Sequence, residues 1–237
     1  MPDSQPTVVL VHGAFAESSS WNGVIERLGA AYDVVAAANP LRSVAGDAAY
    51  VRDVVRGIGG PVILVGHSYG GMVITQAAAD ESAVRALVYV NAFCPDTGES
   101  ALSLSGKFPG STLADTLVQY PVSTGGNEVA IGQDAYHAQF AADVSADLAA
   151  LMARTQRPIT EQALGDKLTG DPAWRLLPSW FVFGDADMNI PVAVHRFMAE
   201  RADARGQREI VGGSHAMAAA VPSEVAETII EAVRASG

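Results

Sequence analysis

The chain has 237 residues, 49% hydrophobic and 17% charged, enough to bury a substantial core within one globular domain. Its 26 acidic against 15 basic residues leave a net charge of -11 at pH 7, which argues against nucleic acid or an anionic membrane surface as partner. Cys94 is the only cysteine, so an intrachain disulfide is excluded and a reducing compartment is compatible.

In chain order, Met1-Pro2-Asp3-Ser4-Gln5-Pro6 lacks a basic-then-apolar leader, and no later apolar run is long enough to span a bilayer; a cytoplasmic protein is expected. The apolar run Thr7-Val8-Val9-Leu10-Val11 predicts a strand over 7–11 that breaks at His12-Gly13-Ala14-Phe15. A helix over 19–29, a strand over 33–38 and a helix over 46–58 follow. Gly57-Ile58-Gly59-Gly60 precedes a strand, whereas a dinucleotide loop must follow one and open a helix, so it reads as a helix end and turn. Strands are predicted over 61–67, 84–91, 178–183 and 207–211, and helices over 69–80, 191–204 and 222–235. Strands alternating with helices argue for a mainly parallel sheet covered on both faces, with no internal repeat. The rhythm breaks between Pro95 and Pro178, a stretch locally rich in Gly, Ser and Pro and then helical over 133–142 and 145–157.

The chemistry concentrates on Gly66-His67-Ser68-Tyr69-Gly70. An apolar strand before it and a helix behind it make a nucleophile elbow, in which flanking glycines remove side chains that would clash in so sharp a turn. A serine hydroxyl is a poor nucleophile at neutral pH and needs a base, an acid to orient that base, and donors for the oxyanion it generates. His215, in Gly212-Gly213-Ser214-His215-Ala216-Met217 after the strand at 207–211, is the candidate base. His12 and His67 flank the same site and shape it, while His137 and His195 fall on predicted helices in packing or solvated roles. Two aspartates compete for the orienting role in Gly184-Asp185-Ala186-Asp187-Met188-Asn189-Ile190-Pro191. Asp187 is favoured, with Pro191 as the first residue of the next helix and Asp185 as a turn residue bonding local backbone amides. The order Ser68, Asp187, His215 is the one seen in α/β-hydrolases. The oxyanion donors expected are the backbone N–H groups of Tyr69, after the nucleophile, and of Ala14, after the first strand.

On these residues the chain resembles the α/β-hydrolase superfamily, and within it the plant methylesterase and hydroxynitrile lyase group with its compact bacterial esterase-like relatives. The likeness runs through Val9-Leu10-Val11-His12-Gly13-Ala14, Trp21, residues 65–72, Phe93-Cys94-Pro95-Asp96, Asp187 with Ile190-Pro191, and Ser214-His215-Ala216-Met217. It implies one α/β-hydrolase domain over 1–237, a mainly parallel sheet flanked by helices, with a small helical cap inserted at about 95–177. By the same resemblance Ser68 is the nucleophile, Asp187 the acid, His215 the base, and Ala14 and Tyr69 the oxyanion donors. Phe15, His12, Trp21, Phe93, Phe140 and Met217 are expected to bind substrate, and Phe108, Leu113, Leu117, Tyr120, Leu148 and Met152 are further cap candidates.

Two departures from the group bear on the reaction. Lyase members carry a threonine where this chain has Gly13, and a lysine after the catalytic histidine where this chain has Ala216. Without that ammonium a departing cyanide has no cation beside it. The expected activity is a serine hydrolase cleaving a small carboxylic ester, thioester or lactone through an acyl-enzyme. The alternatives are a lyase, perhydrolase or acyltransferase on the same fold, or a non-catalytic ligand receptor. No metal or other cofactor is expected. The partner is a small ester-like molecule, not nucleic acid or membrane, with a homodimer left open.

Overall fold

In a computed structural model the described residues are 5–236; Met1–Ser4, on which part of the leader expectation falls, and Gly237 lie outside them. Six strands form one parallel sheet: β1 (Thr7–Val11), β2 (Val34–Ala37), β3 (Val62–His67), β4 (Val84–Val90), β8 (Ser179–Gly184) and β9 (Gly206–Ile210), in the order β2-β1-β3-β4-β8-β9. Each lies within two residues of its expected bounds at either end. The helices of the α/β alternation are α1 (Asn22–Leu28), α2 (Val44–Ile58), α3 (Gly70–Ala77) and α8 (Val192–Arg201), with the short α9 (Met217–Ala220) and α10 (Pro222–Arg234) after the last strand.

The strands read as continuous apolar runs because both faces are covered, and their two-residue period divides the core. Val9, Val11, Leu64, Leu87 and Phe181 face α2, α3 and α8. Val8, Leu10, Ile63, Val65, Val88 and Val182 face α1 and α10, where Val225, Ile229 and Val233 meet them. Ser43 caps α2, its hydroxyl accepting Gly46 N–H, and left-handed Gly59 (φ 70°) ends the helix as the glycine cluster predicts. Pro191 sits one position earlier than expected, as the N-cap of α8, while Pro222 is the first residue of α10.

Strand order sets where a ligand can bind. The chain steps from β1 outward to β2, then returns past β1 to β3 and builds in the other direction. Loops leaving the carboxyl ends of β1 and β3 therefore diverge and leave a crevice. That crevice opens at His12–Phe15 and at Ser68.

Between β4 and β8 the chain forms α4 (Ala101–Ser105), β5 (Leu117–Pro121), β6 (Asn127–Ile131), α5 (Tyr136–Phe140), α6 (Ala146–Thr155), β7 (Ile159–Thr160) and α7 (Glu161–Gly165). The helices α5 and α6 fall inside the expected ranges. The segment is not purely helical, however: β5, β6 and β7 make an antiparallel sheet of their own. Among the described residues no helix is long and apolar enough to cross a membrane.

Candidate active site

Ser68 follows β3 with φ 55°, a left-handed backbone that few non-glycine residues adopt and that marks stored strain. The elbow packs so tightly on β1 that a Cβ on Gly70 would lie 2.3 Å from Val11 O. Gly13 meets the elbow from the other side: a Cβ there would sit 2.5 Å from Ser68 Cβ and 2.6 Å from His67 O. The loop after β1 and the turn after β3 are thus packed too closely for any side chain at residue 13. Neither Ala14 N–H nor Tyr69 N–H has an acceptor among the described residues. Both residues line the pocket that opens over Ser68.

The loop after β1 is held from the inserted segment. Phe15, itself left-handed at φ 60°, donates its N–H to Arg157 O at 3.0 Å. Its carbonyl accepts the buried Tyr136 hydroxyl at 2.7 Å. Behind the elbow, Tyr69 donates its hydroxyl to the buried carboxylate of Asp47 at 2.9 Å. Burial pushes that carboxyl up, against the Arg42 N–H and Tyr69 hydrogen bonds that lower it.

Asp187 and His215 are paired: His215 Nδ1 lies 2.7 Å from Asp187 Oδ2, both buried. The other oxygen, Oδ1, accepts Asn189 N–H at 2.8 Å and Ile190 N–H at 3.0 Å. Burial alone would raise the Asp187 carboxyl, but the imidazoles of His215 and His195 outweigh it and hold the group below the usual carboxylate range. Asp185 is exposed, and its carboxylate accepts Gly212 N–H at 2.6 Å, a bond to the His215 loop where one to local backbone amides was expected. Because a carboxylate only accepts, His215 Nδ1 carries a hydrogen, and in the neutral ring the lone pair is on Nε2. Nε2 is buried with no hydrogen-bond partner, so no bond joins it to Ser68 Oγ in this state.

The His215 loop is anchored on three sides. Asn91 donates to Ser214 O at 2.7 Å and accepts Gly184 N–H at 2.8 Å. His67 Nε2 donates to His215 O at 2.9 Å. Asp143, from the inserted segment, accepts Ser214 N–H at 2.8 Å and the Ser214 hydroxyl. Burial first, then the neighbouring His215, pushes His67 down to about 3, and burial pushes His12 down to about 4. Both are therefore neutral structural groups at ordinary pH.

The pocket over Ser68, about 120 Å³, has no charged lining residue. Phe15 and Phe93 line it as expected, with Leu113 and Leu117 from the inserted segment. Four expected substrate contacts lie elsewhere. His12 is fully buried, its Nδ1 donating to Gly13 O; Trp21 and Met217 belong to the core on the α10 side; Phe140 is buried and packs edge-on against His215 at 4.9 Å. Of the cap candidates, Leu148 and Met152 line a separate cavity of about 460 Å³. Tyr120 is exposed and donates to Glu128, and Phe108 packs on Phe197. His195, given only a packing or solvated role above, is fully buried against Asp187, with Nε2 3.2 Å from Oδ2.

A parallel sheet carrying a strained serine on a strand–turn–helix elbow, with a buried histidine–carboxylate pair held against the neighbouring His67, defines the α/β-hydrolase class of fold. The chain belongs to the alpha/beta hydrolase family, whose sequence profile matches residues 8–228. It is 58% identical over 48 residues to the carbendazim hydrolyzing esterase of Nocardioides sp. (strain SG-4G), a match spanning about a fifth of each chain (19% of both). Among solved structures it is similar to polyneuridine aldehyde esterase, with 21% identity, a TM-score of 0.82, and 96% of this chain and 99% of that one covered. A pyrethroid hydrolase from Sphingobium faniae JZ-2 superposes with 19% identity and a TM-score of 0.76, over 97% of this chain and 98% of that one.

Proposed function

We propose that the protein is a serine esterase that cleaves small, uncharged esters with a short apolar acyl group through an acyl-enzyme on Ser68. The observation that carries this reading is the unpartnered Nε2 of His215, with its tautomer set by Asp187, beside an elbow serine that opens onto an apolar pocket. Relatives named as esterases and hydrolases support the reaction class.

In this reaction Ser68 Oγ turns toward His215 Nε2, gives up its proton there and attacks the ester carbonyl. Such hydrogen bonds commonly tighten only once substrate is bound. Ala14 N–H and Tyr69 N–H receive the oxyanion, each worth on the order of 3 kcal/mol in the transition state. His215 then protonates the departing alkoxide, and later takes a proton from the water that frees Ser68. Asp187 stays ionised throughout and stabilises the imidazolium.

The pocket sets the substrate class. Its small volume of about 120 Å³ and apolar lining favour a short, uncharged acyl group. The inserted segment serves as the cap that encloses it. Gly13 and Ala216 weigh against the lyase alternative, because neither position offers the hydroxyl or ammonium of lyase members.

Purified protein assayed with p-nitrophenyl acetate, butyrate and octanoate, and with mandelonitrile, tests this reading. Turnover of the two short esters, a sharp fall at octanoate and no cyanide release above background are expected. A fluorophosphonate adduct on any residue other than Ser68, or ester turnover that survives Ser68→Ala, overturns it.

A further inference from the structure

The proposed catalytic carboxylate serves two histidines. His215 Nδ1 and His195 Nε2 approach the same oxygen, Asp187 Oδ2, at 2.7 Å and 3.2 Å. Both imidazoles and the carboxylate are buried. His195 comes from α8, four residues past Pro191, and its ring stacks on Phe183 with centroids 5.1 Å apart and planes 12° from parallel. Its orientation is therefore fixed by packing on β8, the strand from which the Asp187 loop departs.

We propose that His195 is a positioning residue for this site, donating its Nε2 hydrogen to Asp187 Oδ2 and so holding the carboxylate in line with His215 Nδ1. The inference rests on the reading of Ser68, Asp187 and His215 as the reacting groups. The two backbone donors on Oδ1 pin one oxygen of Asp187, but the carboxylate plane can still turn about that oxygen. A second donor on Oδ2, carried by a ring that cannot tilt, removes this freedom. Outer partners of this kind decide how well a histidine–carboxylate pair is aimed.

Charge balance agrees with the geometry. The titratable groups facing His195 are Asp187, His215 and, further out on β9, Glu209, which is already engaged by Arg196. Burial pushes His195 down more strongly than the Asp187 hydrogen bond raises it, so the ring stays neutral. The single negative charge of Asp187 is then left for His215 when it takes the serine proton. A cationic His195 would compete for that charge.

Two variants and one spectrum test the assignment. His195→Phe keeps a ring to stack on Phe183 and removes the donor, whereas His195→Gln offers an amide N–H in its place. With p-nitrophenyl acetate, His195→Phe should lower kcat on the order of tenfold with KM within twofold, because a carboxylate free to turn holds His215 less well in line. His195→Gln should recover most of that loss. In the wild type, ¹⁵N spectra of the histidine side chains should show His195 as the neutral Nε2–H tautomer from pH 6 to 8. Wild-type kcat in folded His195→Phe, an equal fall in both variants, a change in KM alone, or a bare Nε2 in the spectra would each overturn it. The spectrum needs no turnover and no folded variant, so its result is separate from failure of the esterase reading, which Ser68→Ala decides.

Discussion

Gly13 is packed directly against Ser68 and its two chain neighbours, and Gly13→Ala is a substitution whose effect can be worked from distances. The added Cβ would stand 2.5 Å from Ser68 Cβ, 2.6 Å from His67 O and 2.9 Å from Tyr69 N. Carbon atoms pack at about 3.5–4.0 Å, so the loop after β1 and the elbow must separate by about 1 Å. All three neighbours belong to the elbow, and none is the far end of a flexible side chain. Separation carries Ala14 N–H away from Tyr69 N–H, and two donors that converge on one oxygen cannot both stay within 2.7–3.1 Å of it. Losing one such donor costs roughly 2.7–4 kcal/mol, or about 10²–10³ in kcat.

Steady-state kinetics on p-nitrophenyl acetate, with thermal melting alongside, measures the effect. A fall of about 10² or more in kcat is expected, with a lowered Tm because the strain is shared with the fold. Gly13→Ala with kcat within threefold of wild type and an unchanged Tm would refute both the close approach and the role given to Ala14. The lyase members' threonine would be more disruptive still in this backbone.

Asp187→Asn should cost about 10⁴ in kcat, since an amide facing His215 Nδ1 reverses the tautomer, while Asp185→Asn, which keeps an acceptor for Gly212 N–H, should stay within severalfold; the opposite ranking would move the acid to Asp185. Tyr136→Phe leaves the buried Phe15 carbonyl without its hydrogen bond, and should lower unfolding free energy by about 1–3 kcal/mol with a several-fold loss of kcat, read from denaturant midpoints and ester turnover. His67 and His12 should make stability fall on acidification. Their folded values of about 3 and about 4 lie below the ordinary 6.5, so the unfolded chain takes up protons first, and each histidine removes up to about 1.4 kcal/mol per pH unit as pH drops below 6.5. Asp187, depressed in the fold, adds to that loss only below its unfolded value of 3.8. Chemical denaturation between pH 7 and 5 should show this slope, smaller in His67→Asn; a flat profile would contradict neutral burial of the two rings.

The parallel sheet was legible because its strands are apolar on both faces, and a run such as Val62-Ile63-Leu64-Val65 has no helical reading bounded so tightly by glycines. The placement of Ser68, Asp187 and His215 past the carboxyl ends of strands was legible for a related reason, since chain order and local turn residues together restrict position there. The hairpin of β5 and β6 had a signal that was passed over. Gly125-Gly126 separates segments with strand-favouring residues at alternate positions, Val118, Tyr120 and Val122 before it and Val129 and Ile131 after it, a hairpin pattern set in a stretch rich in Gly, Ser and Pro.

Pocket lining was harder to read, and the misplaced residues show why. Trp21, Met217 and His12 sit within motifs shared with the family, yet all three are fully buried; their neighbourhood in sequence says that they shape the site, not that they touch what enters it. His195 is the converse case. Nothing in a helical histidine marks it, because its relation to Asp187 is made by a chain reversal at Pro191 that brings the first turns of α8 back over the loop they leave. Once Asp187 is placed before that reversal, a histidine four residues into the turn-and-helix that follows becomes a candidate partner for its second oxygen. The carboxylate in this site is therefore better described by its four donors, two backbone amides and two imidazoles, than by the single pairing with His215 that chain order suggests.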